Sequence, residues 1–432
     1  MSTPLPTART HERLVQHLAD DVGSTAAAVS WAHAAALTHH CTRHGMVYPS
    51  GPPNSPDAVR TVLAELASSH PSLADLLDPR AVPLWTAPLS RSAWPALRDF
   101  LDSGDLTADG PHRVDGYRLG DAYQALSADA RKSRALCQTP PWIAELLLEL
   151  SLEPATDEVG PQAVRMIDPA CGTGHILLQA FHSARCYRRR GRAPAPYLST
   201  AASIERALQT VHGVDLDRYA VLLARYRLLA TSASILKVRI DSLPRFWPVQ
   251  VACADSLLDR DEPLLERGRY HAVVGNPPYI TVADARQRDL IRKAYSRVAA
   301  GKYPLGLPFC QLMFELAVPG GHVAQLTSNA FMKREFGRRF IEQFLPAYDL
   351  RMVLDTSGVH IPGHGTPTLI LLHRVRAPQG NTVFTVRGVR GEPSIPEDPA
   401  RGKVWSALAE AVRRRLAEDR LREALNTTRD IA

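Results

Sequence analysis

The feature that most constrains the fold of this chain is an alternation of short β-rich runs with helical segments between residues 164 and 374. Strands are predicted at Val164–Ile167, Val211–Val214, Gln250–Ala252, His271–Val274, His322–Thr327, Met352–Asp355 and Thr368–Arg374. Helices are predicted at His175–Arg190, Tyr219–Ala230, Pro308–Val318 and Lys333–Phe344. This alternation predicts an α/β fold with a doubly wound, mainly parallel sheet. Ligands of such sheets bind beyond the carboxyl ends of the strands, so the residues just after each strand are the functional candidates.

Residues 1–120 lack this alternation and contain no recognisable catalytic constellation. Their pattern predicts short amphipathic helices, for example Ser24–His40 and Asp57–Ser69, separated by proline-containing loops. The sequence thus predicts three regions: an N-terminal helical region (1–120), an α/β domain (121–376) and a C-terminal region (377–432). The last region is expected to be a linker, Ala377–Pro399, followed by a basic helix over Val404–Ala424.

The composition of the 432 residues is that of a globular protein, with 45% hydrophobic and 22% charged side chains. No uncharged apolar run approaches the roughly 18 residues that cross a bilayer, and the N-terminal sequence lacks the apolar core of a secretory signal. The six cysteines are scattered without a CxxC pair, which disfavours structural zinc and a disulfide framework. We therefore expect a cytoplasmic protein without membrane contacts. The formal charge of +7 permits a nucleic-acid partner without requiring one.

Acidic residues follow the first three predicted strands. Asp168 opens a turn that contains Gly172 and Gly174, which let the backbone approach a ligand closely. Asp215 follows the second strand, where a carboxylate can accept both hydroxyls of a ribose, and the adjacent Leu216 can pack on an adenine face. Asp255 follows the third strand and can receive an adenine amino group. Each aspartate alone is more simply a helix N-cap, but the three together predict a nucleoside site.

The fourth predicted strand runs into Asn276-Pro277-Pro278-Tyr279. The two prolines remove backbone donors and fix φ, so the carboxamide of Asn276 and the carbonyl of Pro277 can form two rigid acceptors. Tyr279 offers a flat face beside them. This combination suits an exocyclic amino group on a planar ring. The simpler interpretation of these four residues is a tight turn capped by a tyrosine. That interpretation is disfavoured because the turn follows the strand after the predicted nucleoside site.

These residues resemble the motifs of S-adenosylmethionine-dependent DNA methyltransferases that methylate adenine N6. Asp168–Gly174 is similar to their motif I (DPxCGxG), Asn276–Tyr279 to motif IV (NPPY) and Gln138–Pro141 to the TP-containing motif X. Motif X before motif I is typical of the gamma class. Three segments resemble the PglX methyltransferases of type 2 BREX phage-defence systems, namely Gly275–Val282, Asn329–Gly337 and Asp355–Pro367.

The resemblance implies a Rossmann-like fold, S-adenosylmethionine as cofactor, double-stranded DNA as substrate, other BREX proteins as further partners, and no metal. The implied cofactor-binding residues are Thr139, Asp168, Ala170, Gly172, Gly174, Asp215, Leu216, Asp255 and Asn276. The implied catalytic residues are Asn276, Pro277 and Tyr279, with the first two holding the N6 amino group and the third stacked on a flipped base. The implied DNA-contacting residues are Lys333, Arg334 and His364. Transfer would be direct and in line, so no cysteine is expected to act as a nucleophile, and Cys171 is expected to be a packing residue.

Alternatives to several of these interpretations stay open. His360 and His364 invite a metal interpretation, although no carboxylate or cysteine stands in register with them. The basic residues after the fifth strand either contact phosphates or form a solvated face. The NPPY turn also fits a glutamine amide or a guanine amino group, which would make the chain a protein or RNA methyltransferase.

The C-terminal region is shorter than the resemblance leads one to expect. Relatives carry a large target-recognition region after the catalytic domain, whereas only residues 377–432 follow here. The sequence therefore predicts a C-terminally shortened chain. A shortened subunit that binds cofactor and BREX partners without modifying DNA alone is the third alternative.

Overall fold

The computed structural model describes residues 8–48, 51–102, 115–127, 138–186, 200–362, 366–388 and 390–429. The chain divides into two units, Met1–Thr139 with Thr156–Glu266, and Pro140–Ala155 with Arg267–Ala432. The predicted region boundaries at residues 120 and 376 stay a prediction.

The first unit opens with helices, as the amphipathic pattern predicted. They are α1 (Ala8–Val22), α2 (Thr25–Arg43), α3 (Pro56–Ser69), α4 (Trp94–Asp102) and α5 (Tyr117–Leu126). The side chains of Ser24 and Ser55 cap α2 and α3 by accepting hydrogen bonds from backbone N–H groups of the first turn. Two helices follow along the chain: α6 (Pro141–Leu150) belongs to the second unit, and α7 (Leu152–Val159) crosses the boundary between the units at Thr156.

The strand–helix alternation begins in the first unit with three parallel strands. They are β1 (Met166–Asp168), β2 (Val211–Asp215) and β3 (Gln250–Cys253), in the spatial order β3-β2-β1. The helices that accompany them are α8 (His175–Cys186), α9 (Ala201–Thr210) and α10 (Arg218–Leu236). All three residues of β1 are buried, as is typical of strands covered on both faces.

The second unit continues the pattern with a mixed set of five strands. They are β4 (Tyr270–Gly275), β5 (Ala317–Ser328), β6 (Asp349–Asp355), β7 (Thr368–Arg374) and β8 (Phe384–Arg387). Their spatial order is β4-β5-β7-β6-β8, with β4 parallel to β5, β7 antiparallel to both of its neighbours, and β8 parallel to β6. The helices of this unit include α11 (Ala285–Ala294), α12 (Gly306–Leu316) and α13 (Lys403–Arg429).

Several predicted elements differ from the structure, since β5 starts five residues before the predicted His322 and α10 ends six residues after the predicted Ala230. The predicted helix Lys333–Phe344 is instead a short 3-10 turn over Glu335–Gly337 and a π-helical turn over Phe340–Phe344. The predicted linker Ala377–Pro399 contains β8. The predicted helix Pro308–Val318 ends at Leu316, because Ala317 already pairs with Tyr270 as part of β5.

The turn between β1 and α8 depends on glycine at position 174. Gly174 has φ +86°, and a Cβ atom there would lie 2.9 Å from the Cβ of Ala224 on α10. Such a contact is closer than packed carbon atoms tolerate, so the strand–helix turn and α10 approach each other only because residue 174 has no side chain.

We expect Gly174→Ala to destabilise the fold by about 1–3 kcal/mol more than Gly160→Ala. Gly160 is the matched control, since it has φ +85° but no atom within 4 Å of its Cβ position. The control variant should lose only the roughly 1–2 kcal/mol that a left-handed conformation costs. Denaturant midpoints of both variants measure the difference. Equal losses would mean that the contact with Ala224 is unimportant.

Candidate active site

The carboxylate of Asp168 is the first polar group after β1. Its side chain is buried, and its Oδ1 accepts a hydrogen bond of 3.0 Å from the backbone N–H of Ala170. Burial raises the pKa of Asp168 to about 8, and the nearby Asp215 adds to the rise, whereas the Ala170 hydrogen bond opposes it. Asp168 is therefore mostly protonated near neutral pH.

The turn after Asp168 is held by backbone contacts on two sides. The N–H of Cys171 donates to the carbonyl of Val214 at 3.1 Å, which ties the turn to β2. The carbonyl of Thr173 accepts a 2.7 Å hydrogen bond from Nη1 of Arg227, a fully buried residue on α10. Burial raises the pKa of the Cys171 thiol well above its usual value, so this cysteine is not a thiolate.

The turn after β2 presents the second carboxylate. The half-buried Asp215 accepts two backbone hydrogen bonds of 2.8 Å, from the N–H of Gly172 to Oδ2 and from the N–H of Asp217 to Oδ1. Gly172 belongs to the turn after β1, so the carboxylate joins the two turns. Leu216 lies next to it with 58% of its surface exposed, an unusual position for a large apolar side chain. Asp215 thus ends β2 with Leu216 beside it, and the roles of both residues toward a cofactor stay predictions.

Asp255 accepts hydrogen bonds from the backbone of its own turn, whereas Asp215 joins two turns. Its Oδ1 accepts hydrogen bonds from the N–H groups of Leu257 at 3.0 Å and Leu258 at 3.2 Å, so it caps the turn after β3. The same turn is tied to the turn after β1 by Ser256, whose hydroxyl donates to the carbonyl of Pro169 at 2.6 Å. Asp255 therefore makes the capping contacts of the simpler interpretation. The role of Asp255 toward a cofactor stays a prediction.

The motif X segment lies against α5. Thr139 is buried, and the adjacent Gln138 donates from Nε2 to the carbonyl of Gly120 at 3.2 Å. The backbone N–H of Gln138 donates to Oε1 of Gln124 at 2.8 Å. These two contacts fix the backbone next to Thr139.

In the second unit, the Asn-Pro-Pro-Tyr turn starts where β4 ends. The hydroxyl of Tyr279 donates a 2.5 Å hydrogen bond to Oδ1 of Asn276, and Pro277 between them in the chain is buried. This contact sets the orientation of the Asn276 carboxamide. The carbonyl of Ile280 accepts a 2.8 Å hydrogen bond from the N–H of Leu305, which anchors the following loop just before α12.

Tyr279 also lines a small cleft in the second unit. The other lining residues come from the start of α12 and the end of β5, namely Pro304, Gly306, Leu307, Thr327, Ser328, Ala330 and Phe331.

The structure describes two of the three predicted DNA-contacting residues, Lys333 and Arg334. Lys333 and Arg334 are exposed just beyond β5, and they have no side-chain partner among the residues that the structure describes. The neighbouring arginines are engaged, since Arg338 pairs with Glu342 at 3.2 Å and Arg339 donates to the carbonyl of Ser296 at 2.8 Å. His364 lies outside the described residues.

Sequence reasoning missed the buried polar residues that support these turns. Arg227 is the clearest example, because a mid-helix arginine in an arginine-rich chain gives no signal of burial. Asp217 is the second: it caps α10 through Tyr219 and Ala220 and also accepts a 2.7 Å hydrogen bond from the hydroxyl of Tyr123. The position of Asp217 in the acidic turn after β2 could have marked it as a functional candidate, whereas nothing in the sequence marks Tyr123 as its partner.

Two solved structures of restriction-modification proteins share this fold. The type I restriction-modification methyltransferase subunit from Streptococcus thermophilus matches with a TM-score of 0.51 at 15% identity, covering 94% of this chain and 91% of that one. The type IIL restriction-modification enzyme MmeI, solved with DNA, matches with a TM-score of 0.57 at 14% identity, covering 92% of this chain and 61% of that one. The fold is that of restriction-modification methyltransferases, which confirms the predicted fold class.

One family model and two curated proteins match the sequence of this chain. Residues 209–361 match the model of the Eco57I restriction-modification methylase. The adenine-specific methyltransferase PglX of Streptomyces coelicolor is 39% identical over 409 residues, which are 82% of this chain and 33% of the relative. The type II methyltransferase M.BstVI of Geobacillus stearothermophilus is 28% identical over 222 residues, 50% of this chain and 37% of that protein. The chain is therefore a relative of the adenine-specific methyltransferases, and the resemblance predicted from its motifs is confirmed.

The chain spans about a third of the length of these curated relatives. Among the described residues, no helix combines the length and the apolarity needed to traverse a lipid bilayer.

Proposed function

We propose that this protein is a site-specific DNA methyltransferase that transfers a methyl group from S-adenosylmethionine to N6 of adenine, as part of a BREX-type phage-defence or restriction-modification system. The observation that carries the proposal is the Asn276–Tyr279 turn at the carboxyl end of β4. There the tyrosine hydroxyl holds the carboxamide at 2.5 Å on a rigid double-proline turn.

The residues of the first unit fit the cofactor. Gly172 and Gly174 have φ angles of +52° and +86°, so the turn after β1 takes a tight conformation that glycine adopts without strain. The half-buried Asp215 is suited to accept ribose hydroxyls, and the exposed Leu216 is suited to cover an adenine ring. Thr139, Ala170 and Gly172 would contact the methionine part, and Asp255 the adenine amino group. When bound, S-adenosylmethionine supplies an electrophilic methyl group on a sulfonium.

Asn276 and Pro277 would act on the adenine amino group. Its nitrogen is a poor nucleophile because its lone pair is delocalised into the ring. Two fixed oxygen acceptors favour a pyramidal nitrogen and stabilise the positive charge that grows on it during transfer. The rest of the acceleration comes from holding the reacting groups in position.

DNA would be bound through its phosphates, and the target adenine would be flipped out of the duplex at a cost of a few kcal/mol. Lys333 and Arg334 are exposed and available for phosphate contacts, and Tyr279 would stack on the extruded base. The related enzyme MmeI was solved in complex with DNA, which agrees with such a substrate. Other BREX proteins are proposed as further partners, and the cytoplasm as the location.

The proposal is tested by expressing the chain in cells that lack adenine methylation and reading modified bases by long-read sequencing. We expect N6-methyladenine at one recurring sequence in cells with the wild-type chain, and none with Asn276→Ala. Labelled-methyl transfer to release factors or RNA instead of DNA would favour the protein or RNA alternative. Cofactor binding without any methylation would favour a subunit that needs partners.

Binding of S-adenosylmethionine is expected to release up to about one proton at pH 7. Asp168 is mostly protonated in the free protein because burial raises its pKa to about 8. A cofactor ammonium beside the carboxyl group would stabilise its ionised form and lower this pKa. The affinity should therefore rise as the pH increases from 6 toward 8.

Calorimetry in two buffers with different ionisation enthalpies measures the released proton. Asp168→Asn should abolish the buffer dependence. A wild-type binding enthalpy that is the same in both buffers would contradict the assignment of Asp168.

A further inference from the structure

Helix α5 contacts the turn after β1 and the turn after β2 from one face. Tyr117 stacks on His175, the first residue of α8, with ring centroids 4.3 Å apart and an interplanar angle of 11°. A Cβ atom at Gly120 would lie 2.5 Å from Oγ1 of Thr173, so the helix backbone directly touches the turn after β1. These positions and Tyr123 are three residues apart, which places them on the same side of the helix.

Tyr123 makes the contact that reaches the acidic turn after β2. Its hydroxyl donates to Oδ2 of Asp217 at 2.7 Å, and both side chains are buried. Oδ1 of the same aspartate accepts the N–H groups of Tyr219 at 3.0 Å and Ala220 at 3.1 Å. Both oxygens of Asp217 are thus engaged, and its carboxylate is fixed between α5 and the first turn of α10.

The fixed Asp217 in turn orients Asp215. The backbone N–H of Asp217 donates to Oδ1 of Asp215 at 2.8 Å, and the N–H of Gly172 holds the other oxygen at the same distance. A charge-assisted hydrogen bond is directional, so a displacement of Asp217 moves one of the two groups that aim the Asp215 carboxylate.

The buried His33 also holds α5 in place, through one contact to that helix and one to α10. His33 of α2 contacts the carbonyl of Leu119 through Nε2 at 2.9 Å and the hydroxyl of Tyr219 through Nδ1 at 2.8 Å. A carbonyl only accepts, so Nε2 carries the proton and Nδ1 accepts from Tyr219. Burial lowers the pKa of His33 to about 4, so this neutral tautomer persists at physiological pH.

We propose that Tyr123 is a positioning residue for the cofactor, which acts through Asp217 to aim the Asp215 carboxylate at the ribose. The proposal gives the N-terminal helices a role in cofactor binding. It rests on the proposed function, because it takes Asp215 to be the ribose-binding residue.

The test compares the S-adenosylmethionine affinity of wild type, Tyr123→Phe, Asp215→Ala and the double variant by calorimetry on the full chain. We expect Tyr123→Phe to weaken binding about tenfold, since it frees one oxygen of a buried carboxylate. In the Asp215→Ala background, the same change should have no further effect on affinity, because the residue that it positions is gone. Asp217→Asn, which keeps a capping side chain but weakens the tyrosine contact, should resemble Tyr123→Phe.

Tyr226→Phe is the matched control. Tyr226 is fully buried on α10 and its hydroxyl bonds to Nδ1 of His40 at 2.8 Å, two turns away from Asp217. This variant should lower the melting temperature as much as Tyr123→Phe does, and leave the affinity within twofold of wild type.

The outcomes separate the two proposals. Equal affinity of wild type and Tyr123→Phe, or fully additive losses in the double variant, would overturn the positioning role alone. A wild-type chain that binds no S-adenosylmethionine would overturn the proposed function and the positioning role with it. If Tyr123→Phe fails to fold, Asp217→Asn with its own double variant decides the question by the same criteria.

Discussion

Asn276→Ala is expected to lower the rate of methyl transfer to adenine about a thousandfold while the affinity for S-adenosylmethionine stays within about threefold of wild type. The carboxamide oxygen is one of two fixed acceptors for the amino hydrogens, and it acts most strongly when the nitrogen becomes positively charged. Its removal therefore affects the transition state more than the ground state. The residue belongs to the turn after β4, whereas the proposed ribose-binding residues follow β2.

Single-turnover transfer of labelled methyl groups to DNA and calorimetry with the cofactor measure the two quantities separately. Asn381→Ala is the control, since Asn381 is an exposed asparagine in a turn of the same unit. An equal loss of transfer and cofactor affinity in Asn276→Ala would show that the assigned role is wrong.

Variants of Tyr279 separate the effect of its hydroxyl group on methyl transfer from the effect of its aromatic ring. Tyr279→Phe keeps the ring and removes only the 2.5 Å hydrogen bond to Asn276, so we expect a loss of about tenfold in transfer. Tyr279→Ala also removes the stacking face and should approach the effect of Asn276→Ala. A phenylalanine variant as inactive as the alanine variant would place the whole effect in the hydroxyl group.

Asp215→Ala is expected to weaken S-adenosylmethionine binding about a hundredfold, which corresponds to about 2.7 kcal/mol. The variant removes a charged acceptor for the ribose hydroxyls. It also releases the N–H groups of Gly172 and Asp217, which this carboxylate joins at 2.8 Å. Transfer at saturating cofactor should recover to within about tenfold of wild type, because the acceptors of the adenine amino group are untouched.

Asp259→Ala is the matched control for the lost turn contacts. Oδ1 of Asp259 accepts the N–H groups of Asp261 at 3.0 Å and Glu262 at 3.2 Å in the same unit, and no role in cofactor binding is proposed for it. It should leave the affinity unchanged. Unchanged affinity in Asp215→Ala would remove that residue from the site.

The strands that carry the proposed site could be predicted from sequence because each is a short β-rich run followed directly by its functional turn. Predicted and observed strands agree within two residues for β1 to β4, and β7 agrees at both ends. Local composition suffices for β1 and β4, since most of their residues are apolar and buried and a proline follows each strand within two residues.

The segment after β5 shows why other elements were predicted wrongly. Residues 333–344 have a helical pattern, yet Gly337 packs so closely on Phe331 that a Cβ would lie 1.9 Å from the carbonyl oxygen of that residue. Phe331 and Phe340 pack edge to face with ring centroids 5.1 Å apart. Tertiary packing of the backbone and these rings overrides helical propensity in this segment.

The sequence by itself determined the order of β1 to β7 along the chain, the motifs that follow the strands and the family to which the chain is related. Each of these depends on residues close together in the chain. The tertiary structure alone decided what holds the motifs in place: Tyr123 bonds to Asp217 across 94 residues, and His33 bonds to Tyr219 across 186. Such contacts between distant residues leave no periodic signal, because any buried polar side chain finds its partner only when the chain has folded.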